Sequence, residues 1–176
     1  FTFTNLKASL NGIASELVSG VATYTETITG SFQNSTLQSS DHFVTQALKV
    51  KVTQNSVTEN FTLDEDLTLS QSLPDLTKET ITGSGSISSD NANINGSIKF
   101  NITTPIVVNS TTPVTASSGQ MIISGSGGTA LYVTFAMPDT GSVTMQLTKD
   151  GANVGTQKTV PVATILASVT SAAAVN

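Results

Sequence analysis

Between residues 131 and 137 apolar and polar side chains alternate one for one. Leu131, Val133, Phe135 and Met137 fall on one face of an extended chain, and Tyr132, Thr134 and Ala136 on the other. A period of two is the signature of a half-buried strand. Pro138-Asp139-Thr140-Gly141 then supplies a turn, and Val143, Met145 and Leu147 resume the alternation. Lys149-Asp150-Gly151-Ala152 makes a second turn, because Asp-Gly takes the positive φ of a tight hairpin. Residues 154–162 return, so 131–162 reads as a three-strand meander. The same pattern predicts strands at 21–30, 42–53, 56–63, 65–72, 79–88, 94–103, 105–109 and 120–124. Helical periodicity is scarce: 11–18 has room for a short helical turn, and 163–175 is divided between alanines that favour helix and Thr and Val that favour strand.

One hexapeptide occurs twice. Glu26-Thr27-Ile28-Thr29-Gly30-Ser31 returns as Glu79-Thr80-Ile81-Thr82-Gly83-Ser84, and each copy leads through a polar loop into a lysine-bearing strand, 48–53 and 98–103. Two copies are fewer than the three units a solenoid needs. Two similar hairpins in one antiparallel β-sandwich fit better. The N-terminus reads differently. Phe1 and Phe3 alternate with Thr2 and Thr4, the phase slips at Asn5, and Leu6, Ala8 and Leu10 continue until Asn11-Gly12 breaks the pattern. This divides the chain into a strand and hinge at 1–12 and a β-sandwich domain at 13–176. Such a strand either opens its own sheet or completes the sheet of a neighbouring subunit.

Composition sharpens the setting. Only 11% of residues are charged, against about 25% in ordinary globular chains. Thr (29) and Ser (23) carry the solvation instead, which suits a surface exposed to varying pH and salt. No cysteine is present, so a disulfide framework and thiolate metal sites are ruled out. Arginine is absent and the net charge is −5, so nucleic acid is an unsuitable partner. No apolar run reaches the roughly 18 residues of a membrane span. The expected location is extracellular, at the cell surface, with Phe1 a mature N-terminus left by processing.

The candidate chemistry is thin. His42 is the only histidine, and no Gly-x-Ser-x-Gly elbow accompanies it. A surface histidine near a strand end, with Asp41 turned to the opposite face, is the expectation. Asp64-Glu65-Asp66 is the one acidic cluster; Asp64 and Asp66 would share a face and could begin a calcium site, but the glycine and distal glutamate of a calcium loop are missing. A solvated loop between strands is the expectation, with calcium the lesser candidate. Gly125-Ser126-Gly127-Gly128-Thr129-Ala130 imitates a dinucleotide-binding loop, yet that loop must open a helix and an alternating strand follows here. No enzyme, cofactor or catalytic metal is therefore expected. Five Asn-x-Ser/Thr sequons, at Asn34, Asn60, Asn95, Asn101 and Asn109, are candidate N-glycosylation sites. Asn101 sits mid-strand and is usable only if it faces away from Phe100 and Ile102.

The terminal strand 1–10, the break at Asn11-Gly12, the sequons and the hydroxyl-rich strands after them resemble subunits of donor-strand-complemented pili, above all archaeal thread-type pilins. That resemblance covers the layout of the whole chain and rests on no diagnostic motif. It implies an extracellular filament, a homopolymer assembled head to tail from identical subunits and serving adhesion or surface contact. It also implies a donor-strand interface of Phe1, Phe3, Leu6, Ala8 and Leu10. The competing expectation is a monomeric cell-surface or periplasmic β-sandwich binding module, such as an adhesin or lipoprotein domain.

Overall fold

The computed structural model describes residues 6–10, 13–54, 56–90, 96–109, 115–136 and 142–161. They form ten strands: β1 (Leu6–Leu10), β2 (Ile13–Thr29), β3 (Gln38–Gln54), β4 (Val57–Ser72), β5 (Asp75–Ser89), β6 (Gly96–Asn109), β7 (Thr115–Ser124), β8 (Thr129–Ala136), β9 (Ser142–Lys149) and β10 (Ala152–Pro161). All ten belong to one sheet in which spatial order equals chain order and every neighbouring pair is antiparallel.

The turn chemistry matches the sequence where it is described. Asp150 and Gly151 both take positive φ, 50° and 80°, as a tight hairpin between β9 and β10 requires. The glycine-rich segment after β7 is a hairpin turn, closed by Gly125 N–H donating to the Thr129 carbonyl at 2.9 Å; a strand and not a helix follows it. Residues 13–18, with room for a helical turn on sequence, extend β2 instead, because cross-strand pairing with β1 and β3 outweighs weak helix propensity. Two predicted breaks close up. Asp64-Glu65-Asp66 lies inside β4 and not in a loop, and 94–109 is one strand from Gly96 onward. Turn 138–141 and segment 163–175 lie outside the described residues.

Register shows where the apolar positions go. Along one row, Glu65, Gly85, Phe100, Ile123, Leu131, Leu147 and Val154 are successive partners from β4 to β10. Directly paired residues share a face. The face they define also carries Phe43, Leu48, Leu63, Leu67, Ile81, Ile106, Met121, Val133, Val143 and Met145. The opposite face is hydroxyl-rich, as in the row Thr25–His42–Thr68–Thr82.

Both copies of the hexapeptide open hairpins, β2–β3 and β5–β6, but the first ends its strand at Thr29 while the second runs on through Gly83. The expected two-layer sandwich is not what forms among the described residues. Strands pack beside their sequence neighbours, and no second layer builds up across the sheet. Alternation marks which face is apolar; it does not say what covers it. Here the apolar face is only half-buried, and Ala22, Leu48, Ile106, Val133 and Val143 are its buried apolar members.

A seam of bulges crosses the sheet from β2 to β7. Register shifts fall between Ser19 and Val21, between Thr45 and Leu48, between Ile81 and Ser84, and after Ile102. The backbone residues at these shifts with positive φ are Gly20, Ala47, Gly83 and, on β7, Gly119. Bulges bend a strand and tighten its twist. The best-buried residues beside the seam, Ala22, Thr45, Leu48 and Ile106, are gathered by that bend. Next to it the Phe100 ring covers Gly85, where a Cβ would stand 2.6 Å from the ring, so the aromatic fills the space the glycine leaves.

Candidate assembly edges and polar groove

β1 is the outermost strand on one side. It pairs within its own chain: Leu6 opposite Leu17, Ala8 opposite Ser15, and Leu10 opposite Ile13. Phe1 and Phe3 lie outside the described residues. Glu16 of β2 sits between Lys7 of β1 and Lys51 of β3, at 3.6 and 4.0 Å. These are partly exposed pairs of small energy, and their value is in fixing register. β1 covers only the first part of the β2 edge. Along residues 23–29, on the side away from β3, no strand is paired among the described residues. These seven residues are all exposed, Tyr24 to 49% and Ile28 to 60%. β10 is the other edge, with nothing registered beyond it among the described residues. Two edges left without a paired strand among the described residues are the feature the sequence did not disclose.

The residues singled out for chemistry collect on the polar face. A groove of about 760 Å³ runs over β3–β7, bordered by Asp64, Asp66, Ser84, Lys99, Asn101 and Ile122. Asp64 and Asp66 do share this face, as alternation predicts. Each has its own contact, however. Asp64 Oδ1 accepts the Ala47 N–H at 2.7 Å, holding the bulge in place, and Asp66 Oδ1 lies 2.8 Å from His42 Nε2. Among the described residues no group of three or more His, Asp or Glu side chains converges as a metal site would require. His42 is exposed, and Asp41 does face the other way. Its carboxylate partner is Asp66, 24 positions on, which only strand pairing could reveal.

On the apolar face Asp41 accepts the Tyr24 hydroxyl at 2.9 Å and stands directly opposite Glu26. That carboxylate hydrogen bond, with a small desolvation contribution and the charges of Asp41 and Glu26, raises the Tyr24 phenol above its ordinary pKa. The neutral phenol is the form favoured by folding, so its contribution is full below pH about 10 and is lost as pH climbs through the raised value. Asp41→Asn should therefore bring the Tyr24 phenolate absorbance in at lower pH; an unmoved titration would break the assignment. Two other carboxylates are shifted down: Asp75 by the Thr77 hydroxyl and then Lys78, and Asp90 by the Asn60 side chain.

The sequons are spread over both ends of the sheet. Asn34 is exposed in the β2–β3 turn, and Asn101 is exposed on β6 at the groove, with Phe100 and Ile102 half-buried on the other face. Asn109 ends β6, and Asn95 lies outside the described residues. Asn60 is exposed on β4, but its Nδ2 donates to Asp90 Oδ2 at 2.7 Å, a bond a glycan would displace.

The chain is thus an all-β protein built on one open antiparallel meander. Comparison with protein-family models, curated proteins and solved structures returns no match. Among the described residues no helix is long and apolar enough to cross a membrane.

Proposed function

We propose that this chain is a structural subunit of an extracellular filament, a homopolymer whose copies add head to tail by completing one another's sheet. The observation that carries this reading is the open single-layer sheet: one apolar face half-buried, and two edges with no further strand paired among the described residues. An isolated sheet of this kind is a template for further pairing. A contact between two different edges does not close on itself, so it propagates as a fibre. The low charge and the Ser/Thr surface suit exposure outside the cell, where N-glycans on the exposed sequons would add bulk without disturbing pairing.

Leu6–Leu10, with Leu6, Ala8 and Leu10, are the described part of this edge that can pass between copies, and the pilin resemblance extends the same role to Phe1 and Phe3. A neighbour's β2 offers the Leu6–Leu17 register as well as the chain's own β2 does, so exchange remakes each hydrogen bond it breaks. The groove over β3–β7 favours a second reading, a monomeric cell-surface binding module.

Purified full chain should form ordered filaments with rising concentration, seen by light scattering and negative-stain microscopy. Removal of residues 1–11 should abolish ordered filaments and leave a soluble β protein. A full chain that stays monomeric throughout, or a truncated chain that simply unfolds, would sink the filament reading and leave the binding module.

A further inference from the structure

The open stretch of β2 has a matching strand on the same molecule, at the far edge. Pair partners can be followed across the sheet on the apolar face. Glu26 is opposite Asp41, Asp41 opposite Leu69, Leu69 opposite Ile81, and Ile81 opposite Ile106. Ile106 lies against Gly119, whose added Cβ would be 2.6 Å from the Ile106 Cα. Gly119 is opposite Phe135, Phe135 opposite Val143, and Val143 opposite Val160. Glu26 and Val160 therefore stand at the same level on the two open edges and on the same face. One step down, Lys158 stands level with Tyr24. In an up-and-down meander all even-numbered strands run the same way, so β2 and β10 are parallel. Placing the next copy beside this edge, turned only by the twist of the sheet and with no shift along the strands, brings Lys158–Pro161 of β10 against Tyr24–Thr27 of that copy.

The charges agree with that placement. Glu26 and Asp41 are two carboxylates directly opposite each other at the β2 edge, an arrangement that costs stability in isolation. Neither has an ion pair among the described residues, and neither does exposed Lys158 on β10. Self-pairing of two β2 edges centred on this stretch would bring Glu26 against Glu26 and add Asp41 from each side, which disfavours a closed two-fold dimer. β10 of another copy would instead bring a cation to the two acids.

We infer that residues 23–29 of β2 are the receiving edge and that they take β10 of the next copy in parallel, with Lys158 reaching Glu26 and Asp41. β1 fills the outer strand position along residues 13–17 of β2, and Lys158–Pro161 of the incoming β10 take the position along residues 24–27. This rests on the homopolymer reading and gives it a polarity: each copy has one acidic edge and one basic edge.

Cysteine is absent from the chain, so engineered thiols report cleanly. Thr25 and Thr159 are level with each other on the polar face, one residue from Glu26 and Val160. Mixing Thr25→Cys with Thr159→Cys under oxidation should give cross-linked pairs of the two variants, while Thr159→Cys alone gives none. Disulfides within Thr25→Cys alone, at equal or greater yield than in the mixture, would overturn the assignment in favour of β2–β2 pairing. Independently, Glu26→Lys and Lys158→Glu should each raise the concentration needed for filaments by about tenfold, and the double variant should recover. If all three polymerise as the parent does, this joint is wrong and the filament reading stands. If the parent itself never polymerises, the filament reading has failed first.

Discussion

Gly83→Ala is expected to cost about 3 kcal/mol or more of folding stability, read as a lowered urea midpoint by circular dichroism. Gly83 sits at the seam with φ of 132°, a conformation that L side chains rarely adopt. A Cβ there would lie 2.0 Å from the Asp66 carbonyl oxygen and 2.9 Å from the Leu67 Cα. Both obstacles are backbone, so neither can rotate away. Relief would require β4 and β5 to separate where the sheet turns. Gly151→Ala is the comparison, since it has positive φ of 80° but nothing within 4 Å of the added carbon. That change should cost only about 1–2 kcal/mol, the left-handed penalty by itself. Equal costs at the two sites would mean that the seam is not held by close backbone approach.

Val143→Asp should be comparably damaging, by about 3–5 kcal/mol. Val143 is the best-buried apolar side chain among the described residues, at 2% exposure, between Phe135 on β8 and Val160 on β10. A carboxylate at this place has no cationic partner in its row, so it must be buried alone or force the three strands apart. Asn153→Asp on the polar face of β10, exposed and opposite Thr148, adds the same charge and should stay within about 0.5 kcal/mol. Parallel urea titrations decide between them. A tolerated Val143→Asp would mean that the apolar face of β8–β10 has no packed core.

Most of the strands were legible because alternation and turn residues are local signals. Asp150-Gly151 and the β8–β9–β10 pattern needed no knowledge of distant residues. Errors cluster where pairing overrides a local cue. Asp64-Glu65-Asp66 looks like a loop because three acids rarely sit together in a strand, yet Asp64 is held by the Ala47 N–H and Asp66 by His42. Residues 13–18 look like a helical turn, yet β1 and β3 flank them. The candidate joint was half legible. The first ten residues stood out as a strand, whereas Glu26, Asp41 and Lys158 gave no signal, being separated by up to 132 positions and related only through the rows of a ten-strand sheet.

The sequence by itself determined an all-β chain with one apolar and one hydroxyl-rich face, low charge, no cysteine chemistry and a distinct first strand. Those properties follow from residue type and period two, which each segment carries within itself. Among the described residues the tertiary structure decided that the strands lie in a single open layer, that glycine bulges at Gly20, Gly83 and Gly119 bend it along a seam, and that two edges have no further strand paired to them. Each of these depends on which strand lies beside which and in what register, a free-energy comparison among distant segments that no local pattern encodes.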